Sequence, residues 1–151
     1  MNTVYIHYGA THYNKAIFNE VKNISLFPKP TGGLWASPED AEFGWKEWCL
    51  REDSDDDCCE HNSFRFKLTE SANIIKITSA KDLSALPLQS REGLPLDICS
   101  WVCLDFERIV ADGVDAIEIV MSNDWSALHF ALYGWDCDSI LVLNPDVIVQ
   151  I

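Results

Sequence analysis

The chain has 151 residues, is 48% hydrophobic and 23% charged, and carries 24 Asp and Glu against 11 Lys and Arg, for a formal net charge of −13. That size suits one domain (residues 1–151) with a real apolar core, and that charge argues against binding nucleic acid through its phosphate backbone, which needs clustered Lys and Arg. Two classes stay open: an enzyme with an acidic surface, or an acidic protein that fills a basic groove on a partner. Met1-Asn2-Thr3-Val4 has no basic region and no long apolar run follows it, so the expectation is a cytoplasmic chain with no secretion signal and no membrane span. On that basis the six cysteines, at 49, 58, 59, 99, 103 and 137, are expected as free thiols.

Residues 3–7 alternate as a short strand that Gly9 ends. Residues 15–21 suit a short helix, and Pro28 and Pro30 then force an extended connection. Gly32-Gly33 leads into a strand, Leu34-Trp35-Ala36. Ser37-Pro38-Glu39-Asp40 reads as a helix start, with Ala41, Trp45, Trp48 and Cys49 on its inner face and Gly44 as a cost to it. An acidic loop follows at 52–62, with Glu52, Asp53, Asp55, Asp56, Asp57 and Glu60, and reads first as a solvated segment. Phe64, Phe66 and Leu68 alternate with Arg65 and Lys67 as a strand with one buried face, and residues 73–77 form another. Ser79 to Asp82 has a capping-box pattern, and 87–99 reads as loop. Residues 103–112 suit a helix stopped by Gly113. Residues 114–121 read as a strand, 128–133 fit helix or strand equally, and 139–143 is a continuous apolar run that suits a buried strand. Strands and helices mix without regular alternation, so the fold class is α+β.

Three short motifs, in order, carry a resemblance. The first is a strand ending in His with Gly close behind, Tyr5-Ile6-His7-Tyr8-Gly9. The second is a Gly-rich entry to an aromatic-x-Ser strand, Gly32-Gly33-Leu34-Trp35-Ala36-Ser37, followed by Ala41 and Trp45. The third is an acidic head on a late strand, Asp136-Cys137-Asp138 before Ser139-Ile140-Leu141-Val142. This series resembles the ADP-ribosyltransferase superfamily, in its diphtheria-toxin and poly-ADP-ribose-polymerase branch. Trp35 stands where the family most often has Tyr, and no Glu heads the last apolar strand.

The resemblance implies two small antiparallel sheets that form a cleft, with helices packed outside, and NAD as substrate. His7, Tyr8 and Gly9 would position NAD, Gly33 and Ser37 would flank the site, and Trp35 would stack on the positively charged nicotinamide, with a cation–π contribution of about 0.5–2 kcal/mol. His7 and Trp35 are then expected to face one another across one cleft. As nicotinamide leaves, positive charge develops on the ribose, and a fixed carboxylate beside it stabilises that state. The order of candidates is Asp138, then Glu118, which shares a strand face with Ala116 and Val120, then Asp136. The implied activity is ADP-ribosyl transfer to a macromolecule, a protein target in the first instance. Small standalone chains of this kind resemble bacterial or phage toxins and anti-defence effectors, which act in the host cytoplasm. The alternatives are a non-catalytic acidic protein on the same fold that blocks a basic host protein, and a NAD glycohydrolase. Cys58-Cys59-x-His61 has poor spacing for a structural zinc site, and no metal is expected. No Gly-x-Gly-x-x-Gly is present, so a Rossmann-type NAD site is not supported.

Overall fold

The structure is a computed structural model, and it describes residues 3–53, 58–93 and 100–151. Asp55, Asp56, Asp57 and Cys99 therefore lie outside the described residues. Seven strands form the sheet: β1 (Tyr5–Tyr8), β2 (Leu34–Pro38), β3 (Ser63–Leu68), β4 (Ile74–Ile77), β5 (Ala116–Ile119), β6 (Ser139–Val142) and β7 (Ile148–Gln150). Among the described residues three helices accompany them: α1 (Trp45–Arg51), α2 (Phe106–Ala111) and α3 (Trp125–Ala131). The class is α+β. The expected pair of small antiparallel sheets is replaced by one mixed sheet, in the order β4-β5-β6-β2-β1-β3-β7. β4 and β5 run parallel and every other neighbouring pair is antiparallel.

A single sheet results because β2 changes partner along its length. Leu34, Trp35 and Ala36 pair with Val142, Leu141 and Ile140 of β6, and Ser37 and Pro38 pair with Ile6 and Tyr5 of β1. This handover also explains why the expected helix does not start at Ser37. The residue before a proline avoids the helical region, and the ladder to β1 takes Ser37 and Pro38 into the strand. The helix begins at Trp45 instead, with Gly44 as its N-cap, where that glycine costs the helix interior nothing. The 15–21 helix contracts to a 3-10 turn, Lys15–Ile17. The backbone beyond it is used in closing a loop: Lys22 and Thr31 exchange both N–H···O bonds, and Gly33 N–H donates to Asn19 O. Gly32 and Gly33 belong to that closure. A Cβ on Gly32 would stand 2.3 Å from the Glu20 carbonyl oxygen, and one on Gly33 would stand 2.5 Å from Leu141 Cδ1, with positive φ at both.

The apolar alternation sets both faces. Ile117, Ile119 and Leu141 face one cluster with Phe106 and Ile109 of α2, Leu128 of α3 and Trp135. Ala116, Ile140, Val142 and Ala36 face another with Tyr5, Phe64, Phe66 and Leu68. β5 and β6 are buried on both faces, as a continuous apolar run requires. α2 starts three residues later than the spacing predicts, at Phe106, because the Asp105 carboxylate caps it by accepting from Arg108 N–H. No helix among the described residues is long and apolar enough to cross a membrane.

Candidate functional site

β1 and β2 pair over only two positions. Beyond Ile6 and Ser37 the strands part, and the backbone groups that a ladder would use need other partners. The Trp35 carbonyl oxygen finds the imidazole of His7, at 2.7 Å from Nδ1. A carbonyl only accepts, so Nδ1 carries the proton and donates it, and Nε2 presents a lone pair. Burial holds the His7 pKa below the ordinary range, and the bond to Trp35 offsets part of that. His7 is therefore a neutral acceptor near pH 7.

A cavity of about 300 Å³ opens where the strands part. Ile6, His7 and Tyr8 of β1 form one wall and Trp35 and Ala36 of β2 form the second. α1 closes it with Trp45, Trp48 and Cys49, and Cys58 completes the lining. Cys49 and Cys58 are joined by a disulfide across 6.3 Å between Cα atoms, which corrects the expectation of free thiols at these two positions. It ties α1 to the segment entering β3 and contributes roughly 2–3 kcal/mol by restricting the unfolded chain. It also takes Cys58 out of any metal-ligating role. Cys59 and Cys137 are free thiols, and burial pushes the Cys137 thiol up to about 12, far from a nucleophile's range. A second, smaller cavity of about 120 Å³ lies against His7, Gly33, Leu34 and Phe64, so His7 stands between the two.

Of the residues singled out by sequence, His7, Tyr8 and Trp35 meet at the larger cavity. Gly9 sits just beyond, exposed, with its N–H bonded to Asn62 O at 2.8 Å. Gly33 faces the smaller cavity while its Cα is closed off by Leu141. Ser37 is buried and holds three elements together. Its hydroxyl donates to Asp138 O and accepts from Trp45 N–H, each at 2.9 Å, which joins β2, the head of β6 and the start of α1.

The three acids lie elsewhere. Asp138 is buried, and its carboxylate accepts from Ser122 N–H and Ser122 Oγ at 2.9 Å each. Glu118 is buried beneath Tyr5, whose hydroxyl donates to it at 2.6 Å, and Lys76 Nζ stands 2.6 Å from its other oxygen. Asp136 is half-buried and acts electrostatically on Lys29. None of the three is among the residues lining the larger cavity.

Sequence reasoning placed Trp45 and Trp48 on an inward helix face but not at a cavity. Only the register of β1 against β2 leaves the space they border. Lys29 carried no sequence signal beyond its flanking prolines. Its ammonium lies over the Trp35 ring, 4.6 Å from the centroid, and 5.6 Å from that of Trp45. The site is thus an aromatic cavity in an α+β fold, with one oriented imidazole. Comparison with protein-family models, curated proteins and solved structures finds no match.

Proposed function

We propose that this chain is an ADP-ribosyltransferase-like protein that binds NAD, with the nicotinamide end in the cavity between β1 and β2. The observation that carries this reading is the convergence of His7 and Trp35, 28 residues apart, on one aromatic-walled cavity. About 300 Å³ is the lower end of the range for small-molecule sites, so it suits a ring and its sugar rather than a whole dinucleotide. Trp35, Trp45, Trp48 and Tyr8 offer flat faces to the ring, and His7 Nε2 offers an acceptor to a carboxamide N–H or a ribose hydroxyl.

Recognition is better supported than transfer. Cleavage of the nicotinamide bond needs a carboxylate at the ribose, and Asp138, Glu118 and Asp136 are engaged away from the cavity. ADP-ribosylation of a protein target, or hydrolysis of NAD, requires one of them to exchange its present partners for the ligand. Titration calorimetry with NAD tests the reading. Binding is expected, weakened at least about tenfold by Trp35→Ala or His7→Ala, the size of one lost contact near 1.4 kcal/mol. No heat of binding at millimolar NAD overturns it. Release of free nicotinamide that survives both Asp138→Ala and Glu118→Ala removes those acids from the mechanism.

The net charge of −13 together with a cavity that holds no acid favours a second reading, a non-catalytic protein that blocks a basic partner. Such a complex weakens steeply with salt, and a salt-insensitive one counts against it.

A further inference from the structure

Lys29 stands between Pro28 and Pro30, both buried. The prolines restrict the backbone on either side, and the Pro28 carbonyl accepts from the buried Trp135 indole N–H at 3.0 Å. The lysine stem runs along Gly134, close enough that a Cβ there would meet Lys29 Cδ at 3.6 Å. A stiff strap thus carries the ammonium to the indoles of Trp35 and Trp45, two walls of the larger cavity.

The charge at that point is poorly compensated. Lys29 is half-buried, and among the described residues no carboxylate comes within ion-pair distance of it. Asp136 acts only from farther away, and burial holds the ammonium's pKa below the ordinary lysine range. At the neighbouring cavity the basic groups are taken: Lys46 pairs with Glu60 at 3.2 Å and Arg65 with Glu39 at 2.5 Å. A desolvated cation without a carboxylate is a cost. Lys29 is not itself among the residues lining the cavity, but its ammonium, met by two indole faces and, among the described residues, by no carboxylate, stands against two of the cavity's walls, and in a chain with 24 acids and 11 bases that marks it as the place where a ligand supplies the negative charge.

We propose that Lys29 receives a phosphate of the ligand, so that the site selects an aromatic ring linked to a phosphate over the same ring without one. This rests on the NAD reading of the cavity and adds a specificity residue to it. A ring that is cationic and lacks a phosphate competes with the ammonium for the same indole faces and is repelled by it. A phosphate on the same molecule reverses that by pairing with Lys29.

The test compares three probes by calorimetry: nicotinamide, nicotinamide riboside and nicotinamide mononucleotide. The mononucleotide is expected to bind at least about tenfold more tightly than the riboside, one strong charge-assisted contact. Lys29→Met is expected to abolish that preference, and Lys29→Arg to retain most of it. Equal binding of riboside and mononucleotide, or a preference that survives Lys29→Met, overturns the role of Lys29 and leaves the NAD reading standing. Failure of all three probes overturns the NAD reading itself. If Lys29→Met melts below the working temperature, the wild-type preference measured at low and high salt decides: it must shrink with salt, and a constant preference overturns the proposal.

Discussion

β5–β6 and β1–β2 are both antiparallel neighbours in one sheet, yet they are built for opposite ends. β5 pairs with β6 over four positions, and every residue of both strands is buried. β1 pairs with β2 over two positions, and past them the strands part around half-buried His7, Tyr8 and Trp35. In the first pair the backbone satisfies itself and the side chains fill space on both faces. In the second, an imidazole replaces a ladder bond and the side chains border a void. Close packing is concentrated in the closed pair and open space in the other, because a ladder that pairs fully leaves no room for a cavity.

The sharpest way to break this contrast is to truncate one side chain in each region. Ile117→Ala, in fully buried β5, is expected to cost about 2–5 kcal/mol by chemical denaturation, since the hole it leaves has no neighbour free to fill it. Trp48→Ala removes a larger side chain from α1 and is expected to cost less, because it enlarges a cavity that already exists and already borders solvent. If Trp48→Ala proves the more damaging, the cavity belongs to the core and the contrast fails.

Asp138 probes the boundary between the two regions. Asp138→Ala strips half-buried Ser122 of two acceptors and is expected to cost roughly 1–3 kcal/mol. A variant that keeps wild-type stability and loses nicotinamide release would show instead that Asp138 serves the reaction.

The smallest expected effect is the pH dependence of His7. Its folded pKa is lowered by burial, so below about 6.5 the unfolded chain takes up this proton more readily than the folded one. Stability is then expected to fall as pH drops from 7 through that value, and His7→Gln to flatten part of the fall. A profile that His7→Gln leaves unchanged removes the imidazole from the balance.

Much of the fold was legible in the sequence. The apolar run at 139–143 is strand β6, Phe64-x-Phe66-x-Leu68 is β3 with its buried face, and Gly113 ends α2 with φ +82°. These signals are local: an alternation or a stop that a few residues carry whatever the rest of the chain does. The sequence also singled out His7 and Trp35 as a pair. It did not show that Ser37-Pro38 would extend β2 rather than start a helix, or that Ser37 would still serve a helix start across space, through Trp45 N–H. Strand β7 and the Cys49–Cys58 disulfide likewise had no local mark that separated them from a tail and a pair of thiols.

The sequence by itself determined the α+β class, the buried strands and the net charge of −13. The tertiary structure decided that one sheet forms instead of two, that β1 and β2 part after two pairs, and that Asp138 and Glu118 spend their charge inside the fold. The physical reason is the reach of the interactions. Alternation and capping act over a few residues, whereas strand order, a carboxylate's partners and a cavity between strands depend on contacts between segments as far apart as Tyr5 and Glu118, 113 positions along the chain.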